Sequence, residues 1–252
     1  MLSLVPAVIG IAVTALLALV AVATRALTLR AGLFAAVFGS VIVVVAGFPY
    51  LALLVLFVFG SVLATRYRLE EKSRRHVQEG THGERGVANV VSHILVPTAL
   101  ALTALAPSYA LPESTRALFY ASALAFGASD TFASEFGVLA GHASSILHLR
   151  PVPPGTNGGV SGLGEGFALV GAGLTGAAAV GFFALFGSAP AFPVAFGLIV
   201  TVSGFLACQV DSVLGQTLEN AGHLSKHSTN FLGMLSSVAI AAVLLLVFRG
   251  TV

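Results

Sequence analysis

Charged residues are scarce in this sequence. Only 9% of its 252 residues are Lys, Arg, Asp or Glu, whereas 57% are hydrophobic. Because soluble domains carry about 25% charged residues, this composition excludes a soluble protein and predicts one that crosses a membrane several times. The net charge of +2 rests on too few residues to indicate nucleic-acid binding, so no nucleic-acid partner is expected.

Several chemical motifs are also missing. The single Cys208 excludes a disulfide within the chain. No lysine follows a glycine-rich stretch in the Walker A pattern, so the phosphate chemistry of P-loop proteins is not expected. The sequence also lacks a nucleophile elbow and a dinucleotide-binding fingerprint. A functional site therefore has to be built from other polar residues that lie among the apolar runs.

Long apolar runs predict about eight membrane spans. The uncharged run over residues 31–64 exceeds the ~20 residues that cross a bilayer, and the Gly-Phe-Pro sequence at 47–49 is expected to divide it into two spans. One tilted helix over the same residues is the alternative, which gives seven spans. The other spans are predicted at residues 2–23, 87–106, 117–140, 163–186, 194–215 and 230–248. The predicted fold is an all-α, polytopic membrane helical bundle that forms one transmembrane domain over residues 1–252.

The distribution of charge predicts how this bundle sits in the membrane. Residues 65–86 form the most strongly charged segment, and the positive-inside rule makes it a cytoplasmic loop. Alternation of the spans then brings every polar motif to the cytoplasmic ends of the helices. We therefore expect a multi-pass protein of the cell membrane whose active site faces the cytoplasm. The sequence leaves the oligomeric state open, and a homodimer is compatible with it.

A glycine- and proline-rich loop at residues 150–162 separates two of the predicted spans. Proline fixes φ and glycine permits positive φ, so this composition predicts a shaped loop whose backbone N–H groups can meet an anion. Ser161 stands where the next helix is expected to begin. A plain connector between two helices is the alternative interpretation. The residues of this loop that we expect to bind phosphate are Gly155, Thr156, Asn157, Gly158, Gly159 and Ser161.

Two acidic residues, Asp130 and Asp211, lie inside predicted spans. An ionised carboxylate at the bilayer centre costs roughly 2.5–3.5 kcal/mol on insertion scales, so each acid is a functional hypothesis. Asp130 shares a helix face with Ser134, and Glu135 lies at an angle to that face. Hard carboxylate oxygens suit Mg²⁺, which also bridges to phosphate oxygens. For either acid alone, a cation pathway or hydrogen bonding between helices is the alternative.

Cationic and amide side chains complete the predicted phosphate site. Lys72, Arg74, Arg75 and Arg85 are its candidate cations, although charge at the membrane surface is the simpler reading of the run as a whole. Arg85 differs because it lies one helical turn before Asn89, on a face directed inward. The other polar residues near apolar spans that we expect to contact phosphate are Asn220 and Asn230.

Five segments of the chain carry a family resemblance. They read GERGVAN at 83–89, ASDTFASEFG at 128–137, PVPPGTNGGVS at 151–161, DSVLG at 211–215, and Asn230 after a polar stretch. In this order they resemble the membrane family known as domain of unknown function 92, which includes plant phytyl-phosphate kinase and animal transmembrane protein 19. The resemblance covers most of residues 72–230, and the PPGTNGGVS segment is its most specific part.

This resemblance implies a membrane kinase. A nucleoside triphosphate, with CTP the expected donor, would transfer a phosphoryl group to a prenyl monophosphate of the phytyl or geranylgeranyl type in the presence of Mg²⁺. Asp130, Asp211 and Glu135 are then the expected metal ligands, and Arg85 joins them as a catalytic residue. Glu165 departs from the family pattern, since relatives usually begin this helix without a charge. The alternatives are a secondary transporter or channel that uses the intramembrane acids, and a related CTP-dependent nucleotidyltransferase.

Overall fold

The computed structural model describes residues 4–78, 83–106 and 111–248. Residues 79–82 of the predicted basic loop and the two ends of the predicted domain lie outside these ranges. Eight long helices and one short helix form the described part of the chain. They are α1 (Leu4–Ala23), α2 (Leu29–Ala46), α3 (Phe48–Arg66), α4 (Leu69–Arg74), α5 (Val87–Leu102, continued by the 3-10 turn Thr103–Leu105), α6 (Glu113–Gly137), α7 (Gly162–Leu185), α8 (Pro193–Leu214, continued by the π-helical turn Gly215–Glu219) and α9 (Lys226–Val247).

Seven of the described helices are long and apolar enough to cross a membrane. They are α1, α2, α3, α5, α7, α8 and α9 with their continuations. The predicted all-α, polytopic membrane bundle is therefore confirmed. The remaining long helix, α6, has 25 residues but carries Glu113, Arg116, Asp130 and Glu135, and it is the most polar of the eight. Its charges are accommodated by its position in the bundle.

Gly47 divides α2 from α3. Its φ of 100° lies in the region that favours glycine, so neither helix can continue through it without strain. Pro49 follows in the first turn of α3, where a missing N–H costs nothing because no carbonyl precedes it in the helix. The two-span interpretation of residues 31–64 is confirmed, and the alternative of one tilted helix is wrong.

Helix α6 lies at the centre of the bundle, in contact with α3, α5, α7, α8 and α9. The neighbouring helices approach it closely through glycine. A Cβ atom on Gly171 of α7 would lie 2.6 Å from the carbonyl oxygen of Ala128, and one on Gly204 of α8 would lie 2.7 Å from the carbonyl carbon of Ala125. These helices therefore shield α6 from lipid, and polar residues on α6 face protein instead of hydrocarbon.

The helix ends that carry the polar motifs meet at one end of the bundle, which we call the motif end. Leu27, between α1 and α2, forms a β-bridge with Arg85 just before α5. Thr65 near the end of α3 hydrogen-bonds Glu135 near the end of α6. Loop 150–162 and the start of α9 lie at the same end. The alternation of the spans predicts that the polar motifs lie together at one end of the bundle, as they do here.

Aromatic and polar side chains close the opposite end, which we call the closed end. The ring of Tyr50 packs edge-on against Tyr120 and Phe183, with centroid separations of 4.8 and 5.0 Å. The Tyr50 hydroxyl donates a hydrogen bond to Glu113 (2.8 Å), and Glu113 also pairs with Arg116. The bundle is therefore tied together at this end through α3, α6 and α7.

A small antiparallel sheet connects α6 to α7. Its strands are β1 (Ala143–Ser145), β2 (Pro151–Val152) and β3 (Gly159–Val160), in the order β2-β1-β3. The register pairs Ala143 with Val152 and Ser144 with Val160. Strands of two or three residues are too short to show alternating hydrophobicity, so the sequence alone does not predict this sheet. It holds the two ends of loop 150–162 on either side of β1.

Candidate functional site

A cavity of about 300 Å³ lies at the motif end, between the ends of α6 and α8 and the starts of α7 and α9. We call it the acidic cavity because five carboxylate side chains line it. Among the described residues, Lys226 is the only Lys or Arg in its wall. The five acids are Asp130, Glu135, Glu165, Asp211 and Glu219. Carboxylate side chains in the described lining therefore outnumber Lys and Arg by five to one.

Most of the residues predicted to form the site line this cavity. They come from four separate parts of the chain, which the bundle brings together. They are Asp130, Ser134, Glu135, Gly155, Thr156, Asn157, Gly158, Gly159, Ser161, Asp211 and Asn230. The structure thus joins the two intramembrane acids with the glycine-rich loop.

Asp211 is the acid whose environment is least complete. Its Oδ1 atom is buried and has no hydrogen-bond partner among the described residues. The charged groups that act on it are Asp130, Glu219 and Lys226, of which two are acids. A buried oxygen without a partner costs free energy, and a bound cation or hydrogen-bond donor would recover it.

The donor set of the cavity fits Mg²⁺. Mg²⁺ usually takes one or two carboxylates and completes its shell with water and substrate phosphate oxygens. Asp130 and Asp211 supply two such carboxylates in one cavity, and Asp211 Oδ1 is available. Within residues 4–78, 83–106 and 111–248, no three His, Cys, Asp or Glu side chains form a metal-binding group by themselves. The residues therefore suit a metal ion shared with a phosphate ligand better than a closed structural site.

Loop 150–162 forms one wall of the cavity and is packed tightly against the end of α8. Gly158 has a φ of 72°, and a Cβ atom there would lie 2.4 Å from Cβ of Gln216 and 2.7 Å from the carbonyl oxygen of Ser212. Asn157 donates its amide to Glu219 Oε1 at 3.0 Å. Glycine at this position thus lets the loop dock, and the Asn157 bond holds it there.

Further hydrogen bonds hold the loop and the segment that precedes it. Gln216 accepts a hydrogen bond from the backbone N–H of Leu147 at 3.2 Å, so the π-helical turn holds the segment that follows β1. The Thr156 hydroxyl donates to the carbonyl of Pro153 within the loop (2.7 Å). Ser161 caps α7 by accepting from the N–H of Gly164 (3.1 Å), as its predicted position at the helix start requires.

Three charged residues of the cavity do not belong to the predicted site. Glu165 lies in the first turn of α7 and accepts a hydrogen bond from Gln209 of α8 at 2.8 Å. Glu219 follows Asp211 by eight residues, a spacing that keeps both on one helix face and could have identified it. Lys226 begins α9, where in the sequence it resembles the ordinary positive charge that flanks a span.

Lys72 lies outside the acidic cavity and is fully buried. Its Nζ atom is 2.6 Å from Glu135 Oε2 and also donates to the carbonyls of Ala64 (2.8 Å) and Thr65 (3.2 Å). Lys72 thus caps the end of α3 and pairs with an acid of α6. The sequence predicts a phosphate contact for this residue, but the structure engages its ammonium group with protein.

Glu135 has partners for both of its oxygens. Lys72 engages Oε2, and the Thr65 hydroxyl donates to Oε1 at 2.7 Å. The sequence predicts Glu135 as a metal ligand, whereas this arrangement leaves Asp130 and Asp211 as the better candidates. Arg85 extends the same network, because its Nη2 donates to Thr65 Oγ1 (3.2 Å) and its Nη1 to Asn89 Oδ1 (3.3 Å).

Of the two remaining amides predicted to contact phosphate, one lines the cavity and the other does not. Asn230 lines it and donates to Nε2 of His93 at 3.3 Å, while Nδ1 of His93 lies 2.8 Å from the carbonyl of Asn89. These partners assign the His93 proton to Nδ1, since Nε2 must accept. Asn220 is exposed and donates to the carbonyl of Gln216 (3.2 Å), so it lies outside the cavity.

A continuous layer of polar side chains therefore borders the acidic cavity on the side of α3 and α5. We call this layer the polar wall. It consists of Thr65, Arg85, Asn89, His93, Glu135 and Asn230. Of the predicted site residues, Arg85 and Asn89 belong to this wall and not to the lining of the acidic cavity.

Comparison with known proteins places the chain in a family. The sequence profile of the family described as integral membrane protein DUF92 matches residues 12–238. An uncharacterized membrane protein of Synechocystis is 34% identical over 240 residues, which is 90% of this chain and 88% of that protein. An uncharacterized membrane protein of Methanocaldococcus jannaschii is 28% identical over 231 residues, 90% of this chain and 89% of its own length.

A plant relative shares a smaller part of the chain. Protein PGR of Arabidopsis thaliana is 30% identical over 199 residues, or 71% of this chain and 68% of the plant protein. No solved structure matches the chain. Since the family profile spans α1 to α9 and so takes in the whole acidic cavity, this chain belongs to the DUF92 family of multi-pass integral membrane proteins.

Proposed function

We propose that this protein is a membrane kinase that phosphorylates a prenyl monophosphate to the diphosphate. A nucleoside triphosphate, with CTP the expected donor, supplies the phosphoryl group. The observation that carries the proposal is the acidic cavity, where an excess of carboxylates faces a glycine-rich loop at the end of a membrane bundle. The resemblance of the chain to the phytyl-phosphate kinase family indicates the same chemistry.

The charge of the cavity selects the kind of ligand. Five carboxylates face a single lysine among the described residues of the lining, and Glu135 is already paired with Lys72. A triphosphate alone would be repelled in such a site, because charges interact strongly where water is excluded. A nucleotide that brings divalent cations reverses this balance. Asp130 and Asp211 would hold Mg²⁺, which when bound would neutralise charge on the transferred phosphoryl group.

The residues of the chain would then bind and orient the two substrates. The backbone of loop 150–162 would meet phosphate oxygens from one side, together with the amide N–H of Asn157 that does not bond to Glu219. Lys226 and Asn230 at the start of α9 meet them from another. Phosphoryl transfer depends mainly on such positioning and on charge stabilisation, with little covalent chemistry left to the protein.

The reaction needs no general base. A phosphate monoester has a second pKa near 6, so the acceptor oxygen is already ionised at neutral pH. That oxygen attacks the γ-phosphorus of the donor, the bond from this phosphorus to the β,γ-bridging oxygen breaks, and the nucleoside diphosphate leaves.

The location of the cavity suits a lipid acceptor. A prenyl chain stays in the bilayer while its phosphate lies at the surface, where a soluble nucleotide can reach it. The basic segment around α4 supports a cytoplasmic motif end by the positive-inside rule. We therefore propose that the protein lies in the cell membrane with the acidic cavity open to the cytoplasm.

The test uses purified protein with Mg²⁺, geranylgeranyl or phytyl monophosphate, and CTP labelled at either the α- or the γ-phosphorus. A kinase transfers the γ-label to the lipid, and the product is lost in Asp130→Asn. Transfer of the α-label with release of pyrophosphate would instead identify a nucleotidyltransferase. No lipid product with any of the four nucleotides, together with solute or ion flux in liposomes, would overturn the proposal in favour of a transporter.

A further inference from the structure

A second, smaller cavity lies between α2, α3 and α5, on the far side of the polar wall from the acidic cavity. Its volume is about 60 Å³. We call it the apolar cavity because hydrocarbon side chains form most of its lining. They include Ala35, Leu54, Phe57, Val58, Val90 and Ile94. It shares Arg85, Asn89 and His93 with the polar wall and no described lining residue with the acidic cavity.

One end of the apolar cavity is polar and positively charged. Arg85 and Asn89 of the polar wall line it there, and Arg85 is only 7% exposed. Ser61 lines the same cavity and is 1% exposed, yet its hydroxyl has no hydrogen-bond partner among the described residues. A buried hydroxyl without a partner costs free energy, so this position is prepared for a ligand atom that can hydrogen-bond.

The polar and apolar ends of this cavity follow each other in the same order as the head and the tail of a membrane lipid. Arg85 precedes α5 and therefore lies at the motif end of the bundle. Leu54 lies seven residues before Ser61 on α3, about 10 Å further toward the closed end at 1.5 Å per residue. A cation and a hydroxyl thus lie near the membrane surface, and hydrocarbon lies deeper. An amphiphile with an anionic head has the same orientation in that leaflet.

We propose that the apolar cavity binds the head-proximal part of an isoprenoid monophosphate, with the phosphate oxygens at Arg85 and Ser61. At about 60 Å³ the cavity is too small for the two acyl chains of a phospholipid, so a lipid with a single chain is the better fit. For the identity of the ligand, this inference rests on the proposed kinase function. It assigns the acceptor a binding site on the lipid side, from which its phosphate enters the acidic cavity for transfer.

The polar wall connects the two binding sites. Arg85 donates to Thr65, which donates to Glu135 of the acidic cavity, and His93 accepts from Asn230 of the same cavity. An acceptor phosphate bound at Arg85 therefore lies one layer of side chains away from the acidic cavity, and it has to pass the polar wall before its oxygen can attack a donor in that cavity. Arg85 contacts substrate in this arrangement, whereas Thr65 is a positioning residue.

The first experiment fills the apolar cavity. Ala35→Phe places a ring in it, and Val37→Phe is the matched control because Val37 lies on the same helix with its side chain 63% exposed. We expect Ala35→Phe to raise the KM for geranylgeranyl monophosphate at least about tenfold, with the KM for CTP unchanged. The control should match the wild type. Equal kinetics for both variants in folded protein would overturn the inference.

The second experiment removes the unpartnered hydroxyl and does not depend on turnover. Ser61→Ala should raise or maintain the Tm of the ligand-free protein, because it deletes an unsatisfied buried group. It should weaken binding of labelled geranylgeranyl monophosphate to the full chain in nanodiscs about tenfold, without nucleotide present. A lower Tm with unchanged binding would show that Ser61 is structural and would overturn the inference, even where Ala35→Phe fails to fold.

The binding assay also separates this inference from the proposed function. Competition by geranylgeranyl monophosphate, but not by inorganic phosphate or phosphatidic acid, supports a site for a single-chain lipid phosphate. Binding that is sensitive to Ser61→Ala, with no turnover by any nucleotide, would retain the lipid site and remove the kinase. Turnover with both cavity variants unaffected would retain the kinase and place its acceptor elsewhere.

Discussion

The two ends of α6 carry similar polar residues in very different surroundings. At the closed end, Glu113 is paired with Arg116 one turn away and accepts a hydrogen bond from Tyr50, whose ring is packed against two others. At the motif end, Asp130 faces a cavity with four further carboxylates. The same helix thus has one end where an acid belongs to a closed network of partners and another where an acid lies in a cavity with four other acids.

This difference separates structural acids from candidate functional acids. An acid within a membrane bundle is a functional candidate when its charge remains unmatched after folding. Glu135 shows that a place at the motif end does not by itself make an acid a functional candidate. It lies at that end, but Lys72 and Thr65 engage its carboxylate oxygens. Asp211 is the clearest unmatched acid, since Oδ1 has no partner among the described residues.

Asp211→Asn is expected to have the largest effect, and it tests whether the unmatched acid is functional. Loss of a metal-binding carboxylate removes several kcal/mol of charge stabilisation, so we expect kcat to fall about 1,000-fold or more. The Tm should stay constant or rise, because an unmatched buried charge is removed. Lipid-product formation and thermal unfolding in detergent measure the two effects. An active enzyme with a lowered Tm would make Asp211 a structural residue like Glu113.

Lys72→Met should have the next largest effect, on stability. It leaves Glu135 buried without its ion-pair partner, and breaking such a pair by removing one member costs about 3–5 kcal/mol. The free energy of unfolding in denaturant titrations measures this loss. The double variant Lys72→Met/Glu135→Leu should recover most of it. A stable single variant with weakened CTP binding would instead restore Lys72 as a phosphate ligand.

Gly158→Ala tests whether loop 150–162 must dock on α8. A Cβ atom would clash with Gln216 and Ser212, and the positive φ would be strained, at a cost of about 1–3 kcal/mol. We expect reduced activity together with faster proteolysis of the loop. Gly162→Ala is the control, because no atom lies within 4 Å of its added Cβ. Equal activity of both variants would mean that docking of the loop is dispensable.

Tyr50→Phe at the closed end should have the smallest effect. It removes one hydrogen bond to Glu113 while leaving the aromatic packing in place, so we expect a loss of about 1 kcal/mol in stability. That corresponds to about 2–4 °C in Tm for a chain of this size. Activity at a temperature well below the Tm should be unchanged. A large loss of activity in this variant would remove the distinction between the two ends of α6.

Several features of the fold could be predicted because they depend on local chemistry. Gly47 and Pro49 divide two helices through their backbone preferences alone, and Ser161 caps α7 because a hydroxyl at that position satisfies a free N–H. The membrane spans follow from the length of the apolar runs. The gathering of the motifs at one end follows from the alternation of those spans.

Other features could not be predicted because they depend on which side chains meet. The strands β1 to β3 are too short to show a period. Lys226 has the sequence context of an ordinary flanking charge, but the start of α9 brings it into the acidic cavity. The apolar cavity is lined by residues of α2, α3 and α5 that are far apart in the sequence and show no motif.

The sequence by itself determined that this chain is a polytopic membrane protein, where its helices break, and which polar residues are costly enough in a bilayer to demand an explanation. The tertiary structure decided which of those residues remain unmatched. Lys72 and Glu135 pair because α4 brings the Lys72 ammonium to the ends of α3 and α6, whereas Asp211 keeps an oxygen without a partner among the described residues. The physical reason is that the cost of a buried charge depends on its neighbours in space, and neighbours in space are set by packing.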